Sequence, residues 1–101
     1  MLLLAVVAAP VWAVEVASLY TAQVPLDPEE SNPRAAAYEM ALADVLLRVS
    51  GSELANDPEM IELLFPEPAS YIVQFRPGVE ETLWVSFDGE AIERVLRGTL
   101  M

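Results

Sequence analysis

The sequence predicts an α+β domain of two layers, a three-stranded, mainly antiparallel sheet with its helices packed on one face. Three observations predict it. Runs rich in strand formers occur at 16–24 ("VASLYTAQV"), 70–75 ("SYIVQF") and 82–87 ("TLWVSF"). Between the first and second runs, and again after the third, apolar residues recur at helical spacing. Asparagine, aspartate, proline and glycine stand where those helical segments must start and stop. The order that results is β-α-α-β-β-α, and a sheet covered by helices on one side lets every apolar stripe meet another.

Each element has its own local reason. The first strand is stopped by Pro25, and "PLDPEESNP" is a solvated loop of prolines and acids. Asn32 followed by Pro33 starts a helix, with a side-chain acceptor for an orphan amide and then a residue that has no amide to satisfy. Tyr38, Ala41, Leu42, Val45 and Val49 form its inward stripe, and Asp44 sits four residues before Arg48 on its surface. Gly51 closes it in a left-handed conformation. Asp57-Pro58 marks a second, shorter helix through Met60, Ile61, Leu64 and Phe65, which Pro66 stops.

The strand "SYIVQF" alternates Tyr71, Val73 and Phe75 with Ile72 and Gln74. After the turn "PGVEE", the strand "TLWVSF" places Leu83, Val85 and Phe87 on one face. The two runs pair as a hairpin. Asp88 caps a last helix bearing Ile92, Val95 and Leu96, with Glu90 before Arg94 and Glu93 before Arg97 in the favourable acid-first orientation. The first strand lies beside the third, giving the spatial order 1-3-2; a parallel crossover placing it beside the second is the alternative.

Residues 1–13 read as a signal peptide, with an apolar run from Leu2 to Ala9 and Val11-Trp12-Ala13 fitting a cleavage site. The run is too short for a membrane span, which needs roughly 20 apolar residues. Residues 14–101 then form a single α+β domain, expected in the periplasm. The formal charge of -11, with five arginines and neither lysine nor histidine, works against phosphate backbones and anionic lipid. Without cysteine there is no disulfide and no thiolate metal site.

The element order is that of a nucleic-acid-binding KH domain of the first type, but the place of its GXXG loop reads Gly51-Ser52-Glu53-Leu54. The second glycine is missing and a carboxylate stands inside, so nucleic-acid binding is not expected. Catalysis is left with carboxylates alone. A carboxylate-dependent hydrolase would need Asp88, Glu90 and Glu53 to converge, whereas a cap and a favourable helix-dipole charge already explain the first two. Asp27, Glu29 and Glu30 lack the spacing of a Ca²⁺ loop. No catalytic residue, metal or cofactor is therefore expected. Trp84 lies opposite the Leu83–Val85 face; with Ile72 it is the candidate partner surface, on the side of the sheet away from the helices.

The stretches "VASLYTAQVPL", "ALADVLLRVSG", "ASYIVQFR" and "LWVSFDGEAIERVLR" resemble the start of exported proteobacterial proteins of the domain-of-unknown-function family 2066. The resemblance covers nearly all of residues 15 to 98. It implies an envelope location and brings no activity, ligand or catalytic residue. Members of that family continue beyond the last helix, where this chain reads "RGTLM". That departure implies the N-terminal fragment of a longer protein, with a partner protein or the missing C-terminal segment covering the open face of the sheet. A non-enzymatic interaction or assembly module of the envelope is the function expected.

Overall fold

The computed structural model describes residues 19–100. The leader at 1–13 and the first residues of the expected opening strand, 16–18, lie outside the described residues. The elements are β1 (Thr21–Pro25), α1 (Pro33–Ser50), α2 (Ser52–Ala55), α3 (Pro58–Leu64), a 3₁₀ turn (Pro68–Tyr71), β2 (Ile72–Pro77), β3 (Thr82–Phe87) and α4 (Gly89–Leu100). The sheet order is β1-β3-β2 and both pairings are antiparallel, as the sequence predicts.

The predicted helix starts are made by the predicted residues. Asn32 accepts from the Ala35 amide at 3.2 Å with Pro33 in the first turn, and Asp57 accepts from Met60 at 3.1 Å with Pro58 behind it. Asp88 does the same for Ala91 at 3.3 Å. Each of these caps satisfies one donor that the helix itself leaves orphaned.

Two local features differ from the sequence reading. The residues after Gly51 do not form a loop: Ser52–Ala55 is a single helical turn. Gly51 has a positive φ of 94°, but its ψ of 176° lies outside the left-handed helical well. This is an extended backbone with reversed φ, open essentially to glycine alone. It turns the chain sharply from α1 into α2 while the Gly51 amide still bonds the Leu47 carbonyl.

One core joins the layers. Ala22 and Val24 from β1, with Leu83, Val85 and Phe87 from β3, meet Ala37, Ala41, Leu42, Val45 and Leu46 from α1. Phe65 and Ile92 close it from α3's end and from α4. Full burial of each large side chain contributes ~1.5–3 kcal/mol. Of the surface pairs expected on α4, Arg97 reaches Glu93 at 3.4 Å, while Glu90 and Arg94 form no ion pair. Asp44 and Arg48 do pair, at 2.8 Å.

Candidate interaction surface

The two residues that sequence singles out are not brought together. Trp84 stands opposite Gln23 on one side and Arg76 on the other, on the face away from the helices. Ile72 stands opposite Phe87 and packs half-buried against the core, on the helix face. A bulge between Ile72 and Gln74 is the cause. The extra residue, Val73, shifts the alternation of β2 by one, so that Ile72 and Phe75 face the helices while Gln74 and Arg76 face outward.

The outer face is consequently polar. Gln23, Gln74, Thr82 and Ser86 surround Trp84, and the Arg76 guanidinium lies 4.0 Å from the indole centroid. No broad apolar patch forms there, because Ile72 has left for the other side. Exposed apolar side chains gather instead on β2 and its turn: Val73 is 62% exposed, Phe75 43% and Val79 71%. Tyr38, Ala69, Ile72, Val73 and Phe75 line a shallow groove of about 450 Å³ on the helix side of β2.

β2 and β1 are the two edges of the sheet, and each ends in a proline that has no amide to offer, Pro77 and Pro25. Along β1, the outward-facing carbonyl of Thr21 accepts from the Arg48 guanidinium at 2.5 Å. Along β2, Gly78 donates to Thr82 across the turn. The closely bonded pairs of that ladder are therefore Arg76 with Trp84 and Gln74 with Ser86. The amide and carbonyl of Phe75 point away from β3 and offer themselves to a further strand.

Two arginines flank this edge, one on each face. Arg34, in the first turn of α1, lies 4.9 Å from the Phe75 ring centroid, and Arg76 covers Trp84. The Phe75 ring in turn meets Tyr38 edge-on at 6.1 Å. Neither guanidinium has a carboxylate partner among the described residues, in a chain with 16 acids and five bases. Sequence reasoning missed this pairing of rings and guanidiniums because both contacts are made across the fold.

The acids considered for catalysis do not form a constellation. Asp88 is engaged as a cap, and Glu53 lines a separate groove of about 470 Å³ with Leu54, Leu64, Leu96 and Glu93, without Asp88 or Glu90. Asp27 accepts from the Glu29 amide at 2.9 Å in a local turn. Among the described residues there is no group of three or more acids, histidines or cysteines placed to hold a metal ion. Nor, among them, is any helix long and apolar enough to cross a membrane.

The fold is an α+β domain of βααββα order in which β2 forms an edge of the sheet. The chain belongs to the family described as Domain of unknown function (DUF8605), whose model matches residues 13–100. Its membership of an unknown-function family agrees with the sequence reading, but the family matched is not family 2066. No curated protein and no solved structure matches the chain.

Proposed function

We propose that this chain is a non-enzymatic interaction module that binds a protein partner by strand addition at β2. The observation that carries the reading is the middle of β2, where the outward amide and carbonyl of Phe75 lie beside the exposed side chains of Val73 and Phe75, whereas on β1 the Thr21 carbonyl is taken by Arg48. Main-chain bonding at such an edge supplies affinity, and an adjoining groove supplies selectivity. The absence of histidine, lysine and cysteine from the sequence supports a non-catalytic role. The helical turn at Ser52–Ala55, with Glu53 in it, speaks against a KH-type nucleic-acid clamp.

The leader-like residues 1–13 and the resemblance to exported proteins of family 2066 support a periplasmic location, after removal of the leader at Ala13. The test joins both parts of the reading. The chain is expressed in a Gram-negative host with a photo-crosslinking residue at Val73, or at Glu62 on α3 as control. The reading expects a mature N-terminus at Val14 and crosslinked protein species at Val73 only. Retention of Trp12 contradicts export. Equal crosslinking at both positions contradicts the edge as the interaction site.

A further inference from the structure

The chemistry of the partner follows from Arg76 on one face of β2 and the apolar groove on the other, and this step rests on the strand-addition reading above. Arg34 occupies the first turn of α1, where the helix dipole favours acids and disfavours cations. In a chain so rich in carboxylates, a cation placed there without one is held by something else: the face of Phe75. Arg76 is held in the same way by Trp84 on the other side of the strand. A guanidinium held over a ring face by cation–π attraction leaves N–H groups free for a carboxylate.

The β2 edge is thus a cationic strip on an acidic molecule. From Ile72 to Pro77 it carries Arg76 and no acid, with Arg34 beside Phe75 on the helix side; the nearest acids in sequence are Glu80 and Glu81, beyond Pro77 in the turn. We infer that the occupant of the β2 edge is an extended segment of a partner protein that alternates apolar and acidic side chains. Its backbone bonds the amide and carbonyl of Phe75. Its apolar side chains enter the groove beside Tyr38 and Phe75 on the helix side, and its carboxylates, all on the other face, meet Arg76 on the outer side. A second copy of this chain fits less well, since β2 against β2 sets arginine against arginine and brings together two molecules of charge -11.

Purified full chain is titrated against fluorescein-labelled ten-residue peptides, read by fluorescence anisotropy. The probes are alternating valine–glutamate, alternating valine–lysine, and the valine–glutamate peptide N-methylated at every second residue. The inference expects binding of the first alone. Arg76→Gln should weaken it about tenfold, as for loss of a charge-assisted bond to a carboxylate, whereas Arg34→Gln, on the apolar side of the added strand, should change it by less than about twofold. Unchanged melting temperatures confirm that these exposed substitutions leave the fold intact. If valine–lysine binds as well, or Arg76→Gln changes nothing while N-methylation still abolishes binding, the carboxylate chemistry is overturned and strand addition stands. If the N-methylated peptide binds like its parent, strand addition itself is overturned. Concentration-dependent dimerisation by sedimentation, with crosslinks from Val73 to a second copy, would make that copy the occupant and overturn the inference.

Discussion

The Tyr20 hydroxyl donates to the Glu93 carboxylate at 2.5 Å, tying the start of β1 to the middle of α4. Partial burial, and then the Glu93 carboxylate as acceptor and as charge, push the Tyr20 phenol up to about 12. The folded state therefore holds the phenol proton more tightly than the unfolded chain, where it leaves near pH 10. This contribution to stability is complete below pH 10 and is lost as the pH rises from 10 to 12. Tyr20→Phe should lower stability at pH 7 by about 0.5–1.5 kcal/mol, the net worth of a typical hydrogen bond, since this pair is exposed to solvent. Denaturant titrations should also find that the gap between the two proteins narrows across that alkaline window. A gap that stays constant from pH 7 to 12 would show that the phenol proton is not shared with Glu93.

Gly89 lies beneath the same ring. A β-carbon there would come within 2.7 Å of Tyr20 Cε2. At an ordinary first helical position, alanine in place of glycine favours the helix by up to ~1 kcal/mol. Here Gly89→Ala should destabilise, because it displaces the ring and with it the bond to Glu93. In a Tyr20→Ala background the same substitution should become neutral or stabilising. A double-mutant cycle by thermal melting measures the coupling; additive effects would mean that the ring does not set the need for glycine.

At Gly51 a β-carbon meets nothing within 4 Å, so only the backbone requires glycine. Asparagine tolerates the left-handed helical well, but not φ 94° with ψ 176°. Gly51→Asn and Gly51→Val should accordingly lose similar stability, on the order of 1–3 kcal/mol each. A mild effect for asparagine and a severe one for valine, by denaturant titration, would mean that the site is a left-handed cap after all.

The β2–β3 turn holds two successive glutamates at positive φ, Glu80 at 49° and Glu81 at 56°. Each pays a steric penalty that glycine avoids. Glu81→Gly should raise the melting midpoint, with a gain of about 0.5–1 kcal/mol once the greater freedom of the unfolded glycine is set against the relieved strain. A lowered midpoint would show that the glutamate side chain stabilises the turn by more than its backbone strain costs.

Much of this fold is legible in the sequence because its signals are local. Asn32-Pro33, Asp57-Pro58 and Asp88 announce helices within four residues, and Leu83, Val85 and Phe87 announce a half-buried strand by strict alternation. The order 1-3-2 is the favoured of two that the sequence allows, and the structure adopts it. The bulge at Val73 is different. "SYIVQF" reads equally well in either alternation, and the choice is made by Phe87 across the sheet, which claims Ile72 for the core. Ile72 stands apart from Trp84 for that reason. Trp84 was found, but its covering by Arg76, the stacking of Arg34 on Phe75 and the closing of β1 by Arg48 all depend on residues far apart in sequence.

The central claim is that β2 offers an unpaired edge built to receive a strand, and amide hydrogen exchange at Phe75 tests it most directly. In the isolated chain the Phe75 amide should exchange close to its intrinsic rate, while those of Gln74 and Arg76, bonded to β3, should be protected. Adding the valine–glutamate peptide at saturation should slow exchange at Phe75 by tenfold or more. Protection of Phe75 in the isolated monomer, or free exchange there with the peptide bound, would contradict the account.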